Sequence, residues 1–304
     1  MMELIKPQRL QFGDTIGIIA PSIAMKPEYI ENSVNKLSDL GFKIKLSKHI
    51  FSNANGYAGS IEERADDFNA MISDDSVKMI LFGGGEVCNE ILPFIDYESV
   101  RRHPKIICSY SDSTTLLNAI NRKSGLVTFY GASVRTFENL TDYNWQAFEK
   151  RLMTSETEYV KSALWKTIRA GKCEGVLAGG YLVNFAALYG LEYYPEIPCD
   201  SCILFIEDHE MFSSPAIVSK WFSNLEHRNV FKNVKGLIFG HYSASDNQLI
   251  DDILYRIGEK YDIPVVKCED YGHGTNNSIL PIGIPARLDT DKDSFELLES
   301  CVRV

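Results

Sequence analysis

Lys105-Ile106-Ile107-Cys108-Ser109-Tyr110-Ser111-Asp112-Ser113-Thr114-Thr115-Leu116-Leu117-Asn118-Ala119-Ile120 passes from a short apolar run, through small polar residues, into a segment of helical character. It reads as a buried strand, a tight turn and a helix, the repeating unit of a parallel α/β sheet. A serine on such a turn projects its hydroxyl above the sheet. The backbone N–H of the next residue, Asp112, is left free at the helix start to hold an oxyanion. This is the geometry of a nucleophile elbow, with the small residues Ser109 and Ser113 flanking it in place of the glycines of G-x-S-x-G. The same position also suits a helix cap.

Working outward, Thr15–Ala20 is a second apolar run closed by Pro21-Ser22, followed by apolar positions Tyr29, Ile30, Val34, Leu37 and Leu40 at spacings of three and four, with Gly41 where a helix ends. Ser60-Ile61-Glu62-Glu63 is a capping box, so a helix is expected to start there. Val77–Phe82 is a strand that ends in Gly83-Gly84-Gly85. Residues 136 to 165 turn polar and aromatic and read as a connector. Strands follow at Gly175–Ala178, Ile203–Ile206, Gly236–Phe239 and Pro264–Val266, separated by helices near 214 to 225 and 247 to 260. The expectation is an α/β protein with an N-terminal parallel-sheet domain over 1–135 bearing the elbow and a C-terminal domain over 166–304.

The chain has 304 residues, 45% of them hydrophobic, enough for two cored domains. Its 31 Lys and Arg stand against 41 Asp and Glu, a net charge of −10 without a basic cluster, which argues against nucleic acid or an anionic membrane as a partner. No apolar run approaches the roughly 20 residues that span a bilayer, and the N-terminus lacks a signal-peptide pattern. A cytoplasmic protein is expected. Seven scattered cysteines make a disulfide framework improbable, and Cys199-Asp-Ser-Cys202 lacks a second pair for zinc.

A serine nucleophile needs a base and the base an orienting acid. His273 sits in the glycine-flanked stretch Gly272-His273-Gly274, and Glu207 and Asp208 close the strand at 203–206. His241, after the strand at 236–239, is the rival base, and His209 a weaker one. No metal-ligand spacing such as H-E-x-x-H is present, so no metal is expected. Gly83-Gly84-Gly85 lacks the spacing of a nucleotide loop but can set a second backbone N–H opposite Ser111.

In order and spacing the motifs resemble those of the serine LD-carboxypeptidases and microcin C immunity peptidases. They are Leu10–Ile18 with Ala20-Pro21-Ser22, Ser60–Ala65, Gly84-Gly85 with Leu92–Tyr97, Tyr110-Ser111-Asp112, Gly125–Gly131, Phe205–Asp208, and Gly272-His273-Gly274 with Leu280–Gly283. The resemblance implies Ser111 as nucleophile, Glu207 as the orienting acid, His273 as base, and an oxyanion hole from the backbone at Gly85 and Asp112. Gly84, Ser22 and Tyr189 would be substrate contacts, Tyr189 as a stacking aromatic. It further implies a smaller C-terminal domain of mixed strands, an interdomain active site, a homodimer, and no cofactor. The family usually has glycine at Ser109, where a Cβ is expected to press on the elbow, asparagine at Tyr181, and proline at Ala132.

The expected activity is amide hydrolysis at the L,D bond to a terminal D-amino acid of a murein peptide. The alternatives are cleavage of a peptidyl or aminoacyl nucleotide, as an immunity peptidase performs it, a binding homologue without turnover, and a general esterase, which the absence of G-x-S-x-G disfavours.

Overall fold

The computed structural model describes residues 3–197, 200–242 and 247–304. Cys199 of the C-x-x-C motif lies outside them. Among the described residues no helix is long and apolar enough to cross a membrane.

The first sheet is built from β1 (Thr15–Ile19), β2 (Lys43–Leu46), β3 (Val77–Phe82), β4 (Ile106–Ser109) and β5 (Thr128–Tyr130), all parallel, with the helices α1 (Pro27–Asp39), α2 (Ile61–Ser73), α3 (Tyr97–Arg102) and α4 (Thr114–Ser124) in the crossovers. Helix α2 starts where the capping box predicts: Ser60 Oγ accepts the Glu63 N–H, and the Glu63 carboxylate accepts the Ser60 N–H. Strand β2, unpredicted, has the burial of an edge strand and a lysine at every second position, which blunts the apolar signal that strand assignment depends on.

Helices α5 (Val134–Glu138) and α6 (Asp142–Phe148) occupy the predicted connector and its entry. The connector is more than a tether, because Phe148 and Leu152 are fully buried and the Phe148 ring packs against Phe42 and Phe137. The second sheet contains β6 (Lys166–Arg169), β7 (Lys172–Tyr181), β8 (Cys202–Glu207), β9 (Val234–Gly240), β10 (Val265–Cys268), β12 (Pro285–Asp289) and β13 (Ser294–Leu297), with α7 (Leu182–Leu188), α8 (Pro215–His227) and α9 (Gln248–Tyr261) packed on it. Strands β7 to β10 are parallel, while β6 pairs antiparallel with β10 at one edge and β12 and β13 add an antiparallel hairpin at the other. Among the described residues the second sheet has seven strands to the first sheet's six, so in strands it is the larger one.

The chain does not divide cleanly between the two sheets. Strand β11 (Leu280–Ile282) returns from the C-terminal half to pair antiparallel with β5, giving the first sheet the order β11-β5-β4-β3-β1-β2. Helix α4 is docked on the second sheet in turn: Asn118 Nδ2 donates to the Gly179 carbonyl at 2.8 Å, and Thr114 Oγ1 accepts the Tyr181 N–H at 2.9 Å. One continuous apolar cluster spans both sheets. This packing fixes the carboxyl ends of both sets of parallel strands around one opening, where open α/β sheets bind ligands.

Candidate active site

A cavity of about 880 Å³ lies at that opening. From the first sheet it takes the loops after β1, β3, β4 and β5; from the second it takes Tyr181 at the end of β7, Phe212 beyond β8 and His273 beyond β10.

Strand β4 ends at Ser109, and the chain stays extended at Tyr110 before Ser111 turns into the left-handed region at φ 63°. That conformation is costly for a residue with a Cβ and persists only when neighbours hold it. Here the Ser111 N–H donates to Tyr130 Oη at 3.1 Å, and its carbonyl accepts Thr114 Oγ1 at 2.7 Å. The strained residue is therefore Ser111 itself. Ser109 keeps an ordinary φ, is fully buried, and accepts a hydrogen bond from Ser113 Oγ at 2.9 Å, so its side chain is housed inside the turn.

His273 Nε2 stands 2.7 Å from Ser111 Oγ, and its Nδ1 stands 3.0 Å from Glu207 Oε2. Glu207, the last residue of β8, is fully buried. With Nδ1–H donating to the carboxylate, Nε2 is free to accept the serine proton, the tautomer that this network selects. Gly272, at φ 104°, lets the His273 loop cross the carboxylate: a Cβ there would lie 2.7 Å from Glu207 Oε2. The imidazole is held edge-on by Tyr110, Phe212 and Tyr181, with ring centroids 5.4, 5.0 and 4.8 Å away. Tyr181, the departure from the family pattern, thus forms part of the wall around the base. Burial pushes the His273 pKa down, but the charge and hydrogen bond of Glu207, with Asp208 behind it, outweigh this and raise it.

On the facing wall, Gly85 lines the cavity, and its N–H has no hydrogen-bond partner among the described residues. An added Cβ at Gly85 would collide with Ser22 Oγ at 2.0 Å, so only glycine fits. Ser22 is 1% exposed; its hydroxyl oxygen accepts the N–H groups of Glu86 and Val87, both at 2.9 Å. It therefore anchors the glycine loop from beneath and does not line the cavity, a correction to its expected role as a substrate contact. The Asp112 carboxylate accepts the Cys88 N–H at 2.9 Å, joining the elbow to the end of that loop, and Asn184 Nδ2 of α7 at 3.2 Å, and burial raises its pKa. Gly84 lines the cavity as expected. Tyr189 does not: it is 7% exposed and packed against Phe185 and Tyr194, while Tyr193 reaches the cavity instead. The register of α7 aims Tyr189 inward, which the chain pattern did not reveal.

His241, the rival base, has its Nδ1 2.6 Å from Glu269 Oε2, and it is His273, not His241, that meets the serine. His209 lies near both imidazoles, its ring tilted to that of His241 at a centroid distance of 4.9 Å and edge-on to that of His273 at 6.4 Å. Sequence reasoning missed Tyr130, whose hydroxyl donates to Glu207 Oε1 at 2.6 Å, although it stood in one of the quoted motifs. It also missed Asn277. Its amide nitrogen donates to the Gly272 and Gly274 carbonyls, and its oxygen accepts Thr136 Oγ1, tying the base's loop to α5.

An elbow serine in contact with an imidazole, itself paired to a buried carboxylate, defines a serine hydrolase, and a peptidase once the relatives are considered. Residues 16–131 match the LD-carboxypeptidase N-terminal domain, and residues 174–288 match the LD-carboxypeptidase C-terminal domain. The chain belongs to the LD-carboxypeptidase family. It is 32% identical over 302 residues to a Bacillus subtilis (strain 168) protein named "Probable murein peptide carboxypeptidase", covering 94% of this chain and 92% of that one. It is 30% identical over 328 residues to the Microcin C7 self-immunity protein MccF of Escherichia coli, covering 95% and 94%. The solved structure of MccF with glutamyl sulfamoyl guanosine superimposes with a TM-score of 0.89 at 28% identity, covering 98% of this chain and 99% of that one.

Proposed function

We propose that the protein hydrolyses the L,D amide bond to the terminal D-amino acid of a murein peptide. The observation that carries this reading is the relay Glu207–His273–Ser111, at 3.0 and 2.7 Å, opening into the cavity. Ser111 Oγ attacks the scissile carbonyl as His273 Nε2 takes its proton, and Glu207 stabilises the imidazolium that forms. The N–H groups of Gly85 and Asp112 receive the oxyanion. His273 then protonates the leaving amine, and a water activated by the same imidazole releases the acyl group. The enzyme acts in the cytoplasm as a homodimer and uses no cofactor, a reading that rests on the family resemblance.

The second reading is cleavage of a peptidyl or aminoacyl nucleotide. The likeness to MccF favours it, as do Tyr181, Tyr193 and Phe212 along the cavity, which offer flat surfaces to a nucleobase. The test is incubation of the protein and its Ser111→Ala variant with a murein tetrapeptide and with an aminoacyl sulfamoyl nucleotide, followed by mass spectrometry. Release of terminal D-alanine by the unsubstituted protein alone is the expected outcome. Turnover of the nucleotide alone moves the assignment to immunity. Silence on both, with no labelling of Ser111 by a fluorophosphonate, leaves a binding protein.

A further inference from the structure

The first turn of α5 and the residue that precedes α1 bring two cations to the cavity. Arg135 and Lys26 both line it, and both lie over the ring of Tyr29, the guanidinium 5.2 Å and the ammonium 5.4 Å from the ring centroid. Among the described residues neither cation forms an ion pair. Two cations without an ion-pair partner on the wall of a cavity, with Glu86 elsewhere in its lining, offer positive charge to an anionic group of the substrate. Arg135 also shares this cavity with Ser111 and His273. Its charge acts on the Tyr110 hydroxyl, and the Tyr110 ring lies edge-on to His273.

We infer that Arg135, with Lys26 beside it, binds the free terminal carboxylate of the residue that leaves, and so sets the enzyme to remove a single residue from a chain end. This rests on the hydrolase reading above. His273 hands its proton to the leaving amine, so the leaving residue lies on the His273 side of Ser111. Arg135 and Lys26 line the same cavity as Ser111 and His273, and Tyr110 is the residue that meets the imidazole edge-on and feels the Arg135 charge. A longer leaving chain would have to place a neutral peptide carbonyl where the two cations lie. A planar guanidinium lying over the Tyr29 ring has its forked donors available for a carboxylate. The sulfamoyl or phosphoryl linkage of an aminoacyl nucleotide presents an anion at a similar position, so the substrates used must separate the two sources.

The experiment compares a murein tetrapeptide bearing a free terminal carboxylate with the same peptide as its terminal carboxamide, on the unsubstituted protein, Arg135→Gln and Arg135→Lys, with melting temperatures to show that each variant is folded. The unsubstituted protein is expected to prefer the acid by roughly tenfold to a hundredfold in kcat/KM, the worth of one charge-assisted contact. Arg135→Gln is expected to lose that preference and Arg135→Lys to recover part of it. A folded Arg135→Gln that keeps the full preference overturns the assignment. If the unsubstituted protein turns over neither peptide, the murein reading fails, and the same two peptides are used to protect Ser111 from fluorophosphonate labelling. Protection by the acid alone, lost in Arg135→Gln, supports the subsite; equal protection by acid and amide overturns it. Binding of an aminoacyl sulfamoyl nucleotide that depends on Arg135, with no discrimination between the two peptides, also overturns the carboxylate assignment.

Discussion

Tyr130 and Glu207 meet through a single hydrogen bond of 2.6 Å that joins the two sheets at the catalytic centre. Tyr130 ends β5 of the first sheet and Glu207 ends β8 of the second, and both are fully buried. The phenol oxygen also accepts the Ser111 N–H, so the strained elbow and the orienting acid share one contact. Burial, with the Glu207 charge beside it, pushes the Tyr130 pKa well above its ordinary value and keeps the phenol protonated and donating.

Tyr130→Phe removes that donor and leaves a buried carboxylate oxygen without its partner, while the ring still fills its place. The expected loss is about 1–3 kcal/mol of stability by denaturant titration and about tenfold to a hundredfold in kcat, with KM little changed. A kcat within a factor of two of the unsubstituted protein would show that the phenol does not position the acid.

Ser111→Ala and His273→Ala are each expected to lower kcat by about four to six orders of magnitude, and the double variant to lose little more than either single one, because relay members act as a unit. Additive losses would mean that His273 and Ser111 act in separate steps, contrary to their 2.7 Å contact.

Ser22→Ala takes away the oxygen that accepts the Glu86 and Val87 N–H groups and so loosens the loop that presents Gly85. About a tenfold fall in kcat is expected, of the size associated with one neutral hydrogen bond, and KM should stay near its starting value. A rise in KM at constant kcat would instead make Ser22 a substrate contact.

The parts of this site that could be read from the chain were those whose chemistry is local. The elbow is a strand, a turn and a helix in succession, and α2 is announced by the Ser60 and Glu63 capping pair. Glu207 and His273 were nominated because one closes an apolar run and the other lies between glycines. What the chain concealed depends on residues far apart in sequence. Tyr130 meets Glu207 across 77 positions, and β11 joins the first sheet only after five strands of the second, β6 to β10, have been laid down. Short edge strands such as β2, with alternating lysines, carry too little apolar signal to be distinguished from a loop. Tyr189 and Ser22 were misplaced for a related reason: which way a side chain points from a loop or a one-turn register is set by packing partners, here Phe185, Tyr194 and the glycine loop.

Asp208 provides the last prediction, because it links pH, stability and the base. It is fully buried behind Glu207, and burial pushes its pKa up from 3.8 to about 7 against the pull of the His209 N–H and Ser213. The folded protein therefore binds this proton more tightly than the unfolded chain, and the stability it gains below pH 3.8 is lost as pH rises through about 7. Asp208→Asn should remove that dependence, melting higher than the unsubstituted protein at pH 8, with the advantage shrinking or vanishing at pH 4. Catalysis carries the opposite signature. Glu207, joined by the Asp208 charge as that group ionises near pH 7, raises the His273 pKa above its ordinary 6.5 against the effect of burial, and the base works only when neutral. Removing that charge should move the acidic limb of the kcat/KM profile to lower pH and leave the plateau largely in place. A melting advantage of equal size at both pH values would show that Asp208 is already ionised in the fold, and an unmoved acidic limb would show that His273 does not feel its charge.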